Sequence, residues 1–368
     1  MKKIALFIGS LQKGGSERVM VNLAEYFHKQ QYEVLLVTQY KREPEYSISP
    51  EIKRVYSEPD EKKLQGGRIH NFCVRFSTLR NIWKTYKPDV ILSFLGKNNL
   101  MAIATSRFLP TRVVVSVRGE PTMEYEGKAM QFLAKCVFAF ADGVALQTEA
   151  VKQFFPKRIQ KRARILLNPL NPVFLNKRDS GERENKIVAV GRLDENKNHT
   201  MLIRAFEQIV PEFPQMSLEI YGDGSSREQL ERVIVERQLE DKVKLKGSVS
   251  EVAEHIARAK VFALTSNTEG MPNALMEAMA LGLPVVSTDC PCGGPAMLIN
   301  QEHNGLLVPV GDSDALADAF RKILSDEKFA SKLGDNAYEI TKNLHPDTVN
   351  REWEKFLISI AEKQTKKL

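Results

Sequence analysis

No apolar run in this 368-residue sequence approaches the roughly 20 residues that a helix needs to cross a bilayer. Cysteine is scarce as well. The four thiols, Cys73, Cys136, Cys290 and Cys292, are scattered, and a chain of this size needs no disulfide framework. Cys290 and Cys292 are one residue apart, without the second pair or the histidines that a zinc site requires, so they read as small loop residues. There is no G-x-G-x-x-G fingerprint and no Walker pattern. Two lysines precede a short apolar stretch at the start, but it runs into Gln12-Lys13-Gly14-Gly15 with no small-residue cleavage site. That stretch reads as a buried first strand and not a signal peptide, which places the expected location in the cytoplasm.

What is present is ordinary for a soluble globular chain: 43% hydrophobic and 27% charged residues. The length exceeds what one core usually supports, so two domains are expected. The net charge of +7 is unevenly spread. Residues 1–168 carry 28 Lys and Arg against 15 Asp and Glu, whereas 169–368 carry 25 against 31. A basic first half suits a polyanionic or membrane-surface partner.

Short β-branched runs alternate with stretches of helical period. Strand-like runs fall at 3–9, 33–39, 90–94, 112–117 and 143–147, with helices at 16–29, 68–86 and 128–141 between them. The rhythm restarts with strands at 186–190, 217–221, 243–245, 261–264 and 284–288 and helices at 198–210, 226–238, 250–258 and 273–281. Such alternation implies parallel sheets covered on both faces. Asn168-Pro169-Leu170-Asn171-Pro172 and the polar stretch 176–185 mark an interdomain linker. The expected domains are 1–168 and 169–345. A closing amphipathic helix over about 346–368 carries Trp353, Phe356, Leu357 and Ile360 on one stripe, which either domain could bury, the first by the helix packing back on it.

Three constellations lie where strands hand over to helices. Gly14-Gly15-Ser16 follows the first strand, where backbone can approach a ligand and helix amides can meet an anion. Gly191-Arg192-Leu193-Asp194-Glu195-Asn196-Lys197-Asn198 sets a guanidinium and an ammonium five residues apart, a spacing suited to a diphosphate. In Ser266-Asn267-Thr268-Glu269-Gly270-Met271-Pro272-Asn273-Ala274-Leu275-Met276-Glu277, two carboxylates flank a helix start and can accept hydrogen bonds from two polyols. Each has a bland alternative (a tight turn, a solvated loop, a chance pair of glutamates), but the whole phrase is not a chance phrase.

Through these segments the chain resembles retaining glycosyltransferases of family four, of the bacterial surface-polysaccharide type. The resemblance extends over nearly the whole chain, through Tyr221-Gly222-Asp223-Gly224, Gly293-Gly294-Pro295 and Asn304-Gly305-Leu306-Leu307-Val308. It implies an α/β GT-B fold, two Rossmann-like domains facing each other across a donor/acceptor cleft. It also implies transfer of a hexose or N-acetylhexosamine from a nucleotide diphosphate sugar, UDP on family frequency, to a glycan or lipid-diphosphate-linked acceptor. By the same resemblance Arg192 and Lys197 bind the donor diphosphate, Glu277 holds the ribose and Glu269 faces the sugar. Gly270, Met271, Pro272, Asn273 and Ala274 surround the sugar and phosphate. Lys246-Gly247-Ser248-Val249 receives the base, while Gly14 and Gly15 approach the diphosphate. No metal and no cofactor is called for, since two cations can neutralise a departing diphosphate.

One departure stands out. Relatives often carry a histidine after the strand at 113–117, and here Arg118 occupies that place in Ser116-Val117-Arg118-Gly119-Glu120. Arginine stays protonated and cannot act as a base, so Arg118 is left to steady a phosphate or orient the acceptor, with Glu120 as the nearest alternative. Met297 stands where relatives often have Glu and is assigned nothing. On the acceptor side, Arg68–Lys87 reads as a basic amphipathic helix, either packed or lying at an anionic membrane surface. Peripheral attachment to the inner face of the cell membrane would suit a lipid-linked acceptor. The competing functions are a nucleotide-sugar 2-epimerase on the same fold and a basic nucleic-acid-binding protein. The two-carboxylate phrase disfavours the first, and the lack of a recognised module disfavours the second, so no nucleic-acid partner is expected.

Overall fold

A computed structural model describes residues 2–12, 14–179 and 181–362. The chain divides into two compact units, one comprising Met1–Pro169 with Asp347–Leu368 and the other Leu170–Pro346. Among the described residues, no helix is long and apolar enough to cross a membrane.

The first unit opens with β1 (Lys3–Ile8), α1 (Gly15–Lys29), β2 (Glu33–Thr38), β3 (Lys53–Tyr56) and α2 (Arg68–Tyr86). It continues through β4 (Val90–Phe94), α3 (Gly96–Ser106), β5 (Arg112–Ser116), α4 (Pro121–Glu124) and α5 (Lys128–Phe138). The last elements before the crossover are β6 (Gly143–Leu146), α6 (Glu149–Gln153), α7 (Lys157–Gln160) and β7 (Ala163–Ile165). All strands pair in parallel in the order β3-β2-β1-β4-β5-β6-β7, with Leu6 beside Leu36 on one side and Leu92 on the other. The inner strands are apolar on both faces because helices cover both, and Ile4 through Ile8 are all buried. Helix α1 docks through Val19, Met20, Leu23, Ala24 and Phe27, a stripe of helical spacing.

The second unit comprises β8 (Glu184–Val190), α8 (His199–Ile209), β9 (Ser217–Tyr221), α9 (Arg227–Glu236), β10 (Val243–Gly247) and α10 (Val252–Ile256). There follow β11 (Ala259–Leu264), α11 (Asn273–Ala280), β12 (Val285–Thr288), α12 (Gly294–Leu298), β13 (Leu306–Val308), α13 (Ser313–Ser325), α14 (Glu327–Tyr338) and α15 (Ile340–Asn343). Its parallel order is β10-β9-β8-β11-β12-β13. Phe206 of α8 and Phe320 of α13 are fully buried in the core on one side of this sheet.

Both units are therefore Rossmann-like. In each, the order reverses next to the first strand, between β1 and β4 and between β8 and β11. Ligands of open α/β sheets bind in the crevice at that reversal, outside the carboxyl ends of the strands.

The last helix, α16 (Pro346–Glu362), packs on the first unit within the described residues; 363–368, expected to extend it, lie outside them. Trp353 and Leu357 are fully buried, and the Trp353 indole donates to the Leu167 carbonyl at 2.9 Å. Glu354 accepts from the Tyr26 and Tyr32 hydroxyls, 2.7 Å each, which burial and this carboxylate push up to about 12.

Several elements were not expected from the pattern. Strands β3, β7 and β13 are three or four residues long and lie towards or at sheet edges, too short to show a period. Helix α3 begins Gly-Lys-Asn-Asn, three of the four poor helix formers, and is held by burial of Asn99, Ala102 and Ile103. Strand β8 begins at Glu184, inside the stretch expected to be linker.

Candidate active site

The loops at the reversal of the second sheet carry most of the expected donor residues. After β8, Gly191 donates its N–H to the Tyr221 carbonyl and Leu193 to that of Asp223, which fixes the loop against the end of β9. Gly222, at φ +138°, makes this approach possible: a Cβ there would lie 1.9 Å from the Gly191 carbonyl oxygen. The Arg192 side chain is three-quarters exposed and, among the described residues, is tethered only to Asp194 at 3.2 Å, so it can meet a ligand. Asp194 caps the short 3₁₀ turn Glu195–Lys197 by accepting from the Lys197 N–H, and Asn198, in the left-handed region at φ +46°, caps α8.

This loop is laced to the one after β11. Asn196 donates to the Thr268 carbonyl at 3.0 Å and accepts from both the Thr268 N–H and hydroxyl. Asn267 returns a bond to the Glu195 carbonyl at 2.9 Å, and Thr265 donates to that of Lys197 at 2.9 Å. The result is a direct contact: Lys197 Nζ donates to Glu269 Oε1 at 2.5 Å, and the Ser266 hydroxyl donates to the same oxygen at 2.7 Å. Both side chains are largely buried, so the pair is weakly screened.

Beyond Glu269, Gly270 and Met271 lead to Pro272, the residue capping α11, which starts at Asn273 and Ala274. Gly294 supports this turn, since a Cβ there would sit 1.8 Å from the Gly270 carbonyl oxygen. Glu277 lies inside α11 and is buried. Cys290 is buried near Glu269, and burial followed by that negative charge pushes its thiol up to about 12, so it is inert. At the end of β10, Gly247 at φ +72° accepts from the Gly222 N–H; Lys246 is exposed and Val249 partly so.

Sequence reasoning missed the residues that hold these loops. Asn196, Asn267, Thr268 and Ser266 stood within the quoted phrases, but only their spatial pairing gives them a task. His199 was missed too: its Nε2 lies 3.3 Å from the Arg192 carbonyl, and burial holds the ring down to about 4, so it is neutral and donates. Asp312-Ser313-Asp314 has the spacing of a metal-binding pair, but Asp312 caps α13 and Asp314 accepts from Gln208.

Gly14, Gly15 and Arg118 belong to the first unit. Gly14 caps α1 and Gly15 begins it, next to the reversal between β1 and β4. Arg118, one residue beyond Val117 at the end of β5, is 7% exposed. It donates to Asn168, which also accepts from Gln147, and its guanidinium stacks 4.4 Å from the Phe94 ring centroid. Burial pulls the guanidinium down to about 9. Glu124 grips the same loop, accepting from the Arg118 and Gly119 N–H groups at 2.8 and 2.9 Å. Enclosure raises its carboxyl to about 7. Glu120 accepts from the Thr122 hydroxyl at 2.9 Å.

Residues 13–173 match the family profile "Glycosyltransferase Family 4" and residues 173–340 the profile "Glycosyl transferases group 1". A Campylobacter jejuni protein is 31% identical over 362 residues, 98% of this chain and 99% of its own length. The chain belongs to glycosyltransferase family four. That relative is named as an α-1,4-N-acetyl-D-galactosaminyltransferase acting on a GalNAc-GalNAc-diNAcBac-diphospho-undecaprenol. A second C. jejuni relative, 27% identical over 97% of this chain and all of its own, is named for adding N-acetylgalactosamine to a related diphospho-undecaprenol. Among solved structures, HepE of Anabaena in complex with UDP superposes with a TM-score of 0.81 at 19% identity, over 98% of this chain and 100% of that one. Sucrose-phosphate synthase of Thermosynechococcus elongatus gives 0.83 at 20% identity, over 98% and 99%. These likenesses identify the fold as that of the GT-B glycosyltransferases. The protein is a glycosyltransferase.

Proposed function

We propose that this family-four enzyme moves a hexose or N-acetylhexosamine from a UDP-sugar, with retention at the anomeric carbon and without a metal, to a lipid-diphosphate-linked glycan. The observation that carries the reading is the Lys197–Glu269 contact beside the exposed Arg192 at the sheet reversal. In this reading Lys197 and Arg192 neutralise the diphosphate as the sugar leaves, the role that a metal ion fills in other transferases. Glu269, held by Ser266, accepts from sugar hydroxyls and keeps Lys197 in place. The α11 amides at Met271 to Ala274 meet anionic oxygens, Glu277 accepts from the ribose, and the Lys246–Val249 segment bounds the base. Gly14 and Gly15 are assigned to donor binding from the first unit by family resemblance. Arg118 orients groups on the acceptor side and does no base chemistry.

UDP fits the neighbours solved with it, and the lipid-linked acceptor fits the names of both C. jejuni relatives. Action at the cytoplasmic face of a membrane follows from such an acceptor and from the basic first half. The test is product mass after incubation with a panel of nucleotide sugars and a prenyl-diphosphate sugar, with and without EDTA. Transfer from a UDP-sugar unaffected by EDTA is expected; absence of any transfer product, or epimerised donor instead, would sink the reading.

A further inference from the structure

We infer that the first unit holds the hydrocarbon chain of its acceptor in a groove between α2, α3 and α5, shaped for a single-chain isoprenoid diphosphate. This rests on the lipid-linked acceptor proposed above and specifies which part of the chain meets the lipid.

The groove encloses about 620 Å³, within the usual range of about 300–1,000 Å³ for small-molecule sites. Phe7, Leu79, Met101, Leu133 and Val137 make its lining largely apolar. Its mouth is apolar as well. Phe72 is 54% exposed and, on α5, Leu133 47%. The buried residues of α2 are Leu79, Ile82 and Trp83, so its first turns present Ile69 and Phe72 to no core. Exposed apolar side chains gathered at one concavity mark a binding surface.

The charge around the groove selects the occupant. Helices α2, α3 and α5 together carry seven Lys and Arg residues and no Asp or Glu. Glu58 is the one acid in the lining, and Arg75 pairs with it at 2.6 Å. Arg68 and Lys97 form no ion pair among the described residues, so their charge faces the groove's ligand. An apolar slot with unneutralised cations at its rim fits a chain that ends in phosphate. Its place settles substrate over mere anchor: Phe7, Gln39 and Ser57 stand at or just beyond the carboxyl ends of β1, β2 and β3, the ligand-binding end of such sheets.

Calorimetric titration of the full chain with farnesyl diphosphate, inorganic diphosphate and phosphatidylglycerol vesicles tests this. Farnesyl diphosphate should bind at least about tenfold more tightly than inorganic diphosphate, since burying two methylenes suffices for that factor. Leu133→Glu and Phe72→Ser, both at partly exposed positions, should each remove the advantage. The thermal shift given by UDP-sugars should stay unchanged in both variants; it reads the transferase assignment separately. Equal binding of the two diphosphates, or variants that bind farnesyl diphosphate like the parent, would overturn the inference. So would binding to vesicles without binding to farnesyl diphosphate, which would make the face a membrane anchor.

Discussion

The Lys197 ammonium and the Glu269 carboxylate, 72 residues apart in sequence, meet at 2.5 Å from loops that follow neighbouring parallel strands. Each is the other's closest counter-charge, and Ser266 fixes the carboxylate from below. In the proposed reading a cation held this way is already in place when the diphosphate departs, so no reorganisation precedes the chemistry.

Replacing Lys197 should therefore cost rate more than folding. Lys197→Ala is expected to lower kcat by roughly 10²–10³, the range seen when one preorganised charge stabiliser is lost. Steady-state transfer kinetics check it. A loss confined to KM would show that Lys197 contributes only uniform binding.

In the proposed reading Glu277 has a separate duty. Glu277→Ala should weaken UDP affinity by about 10- to 100-fold, the worth of a charge-assisted hydrogen bond, while uridine-free diphosphate binds as before. Because the residue is buried, Glu277→Gln serves as the folding control. Calorimetry with UDP and inorganic diphosphate separates the two, and unchanged UDP affinity would remove the ribose assignment.

Gly294 tests the backbone beneath the sugar. A methyl group placed 1.8 Å from the Gly270 carbonyl cannot be accommodated without moving the 269–274 turn. Gly294→Ala should abolish donor-induced thermal stabilisation and lower the melting temperature of the free protein. Gly67, where a Cβ meets nothing within 4 Å, is the matched control.

Acid should act on the two units in opposite directions. His199 titrates at about 4 in the fold against its ordinary 6.5, so its neutral form is favoured by folding. That contribution is present above pH 6.5 and lost as pH falls towards 4, by at most about 3 kcal/mol. Glu124 is raised from 4.5 to about 7, so its contribution is present below 4.5 and lost as pH rises through 7. Both tryptophans, Trp83 and Trp353, belong to the first unit, so their fluorescence follows that unit alone. Urea midpoints read by tryptophan should rise between pH 7 and 5, and Glu124→Gln should flatten that rise. Protection of the α8 amides, taken relative to the intrinsic exchange rate at each pH, should fall over the same interval, and His199→Asn should abolish the change.

What was legible in the sequence was what local chemistry writes down. Continuous apolar, β-branched runs marked the inner strands and stripes of period 3.6 the docked helices, because a strand covered on both faces must be apolar throughout and a helix only along one face. The Gly191-Arg192 loop and the Glu269–Glu277 phrase were legible for a similar reason, since each is a local run of residue types at one strand-to-helix turn. Short edge strands such as β3 and β13 left no such trace, being three or four residues of mixed character. Only the tertiary structure could pair Asn196 with Thr268, seat His199 under the Arg192 carbonyl, or sink Arg118 between Phe94 and Asn168. Those contacts join residues that are distant along the chain or depend on which face a side chain takes. The sequence thus determined which polar and charged groups stand in the loops after β8 and β11. The parallel pairing of β8 with β11 decided that Lys197 and Glu269 would act as one.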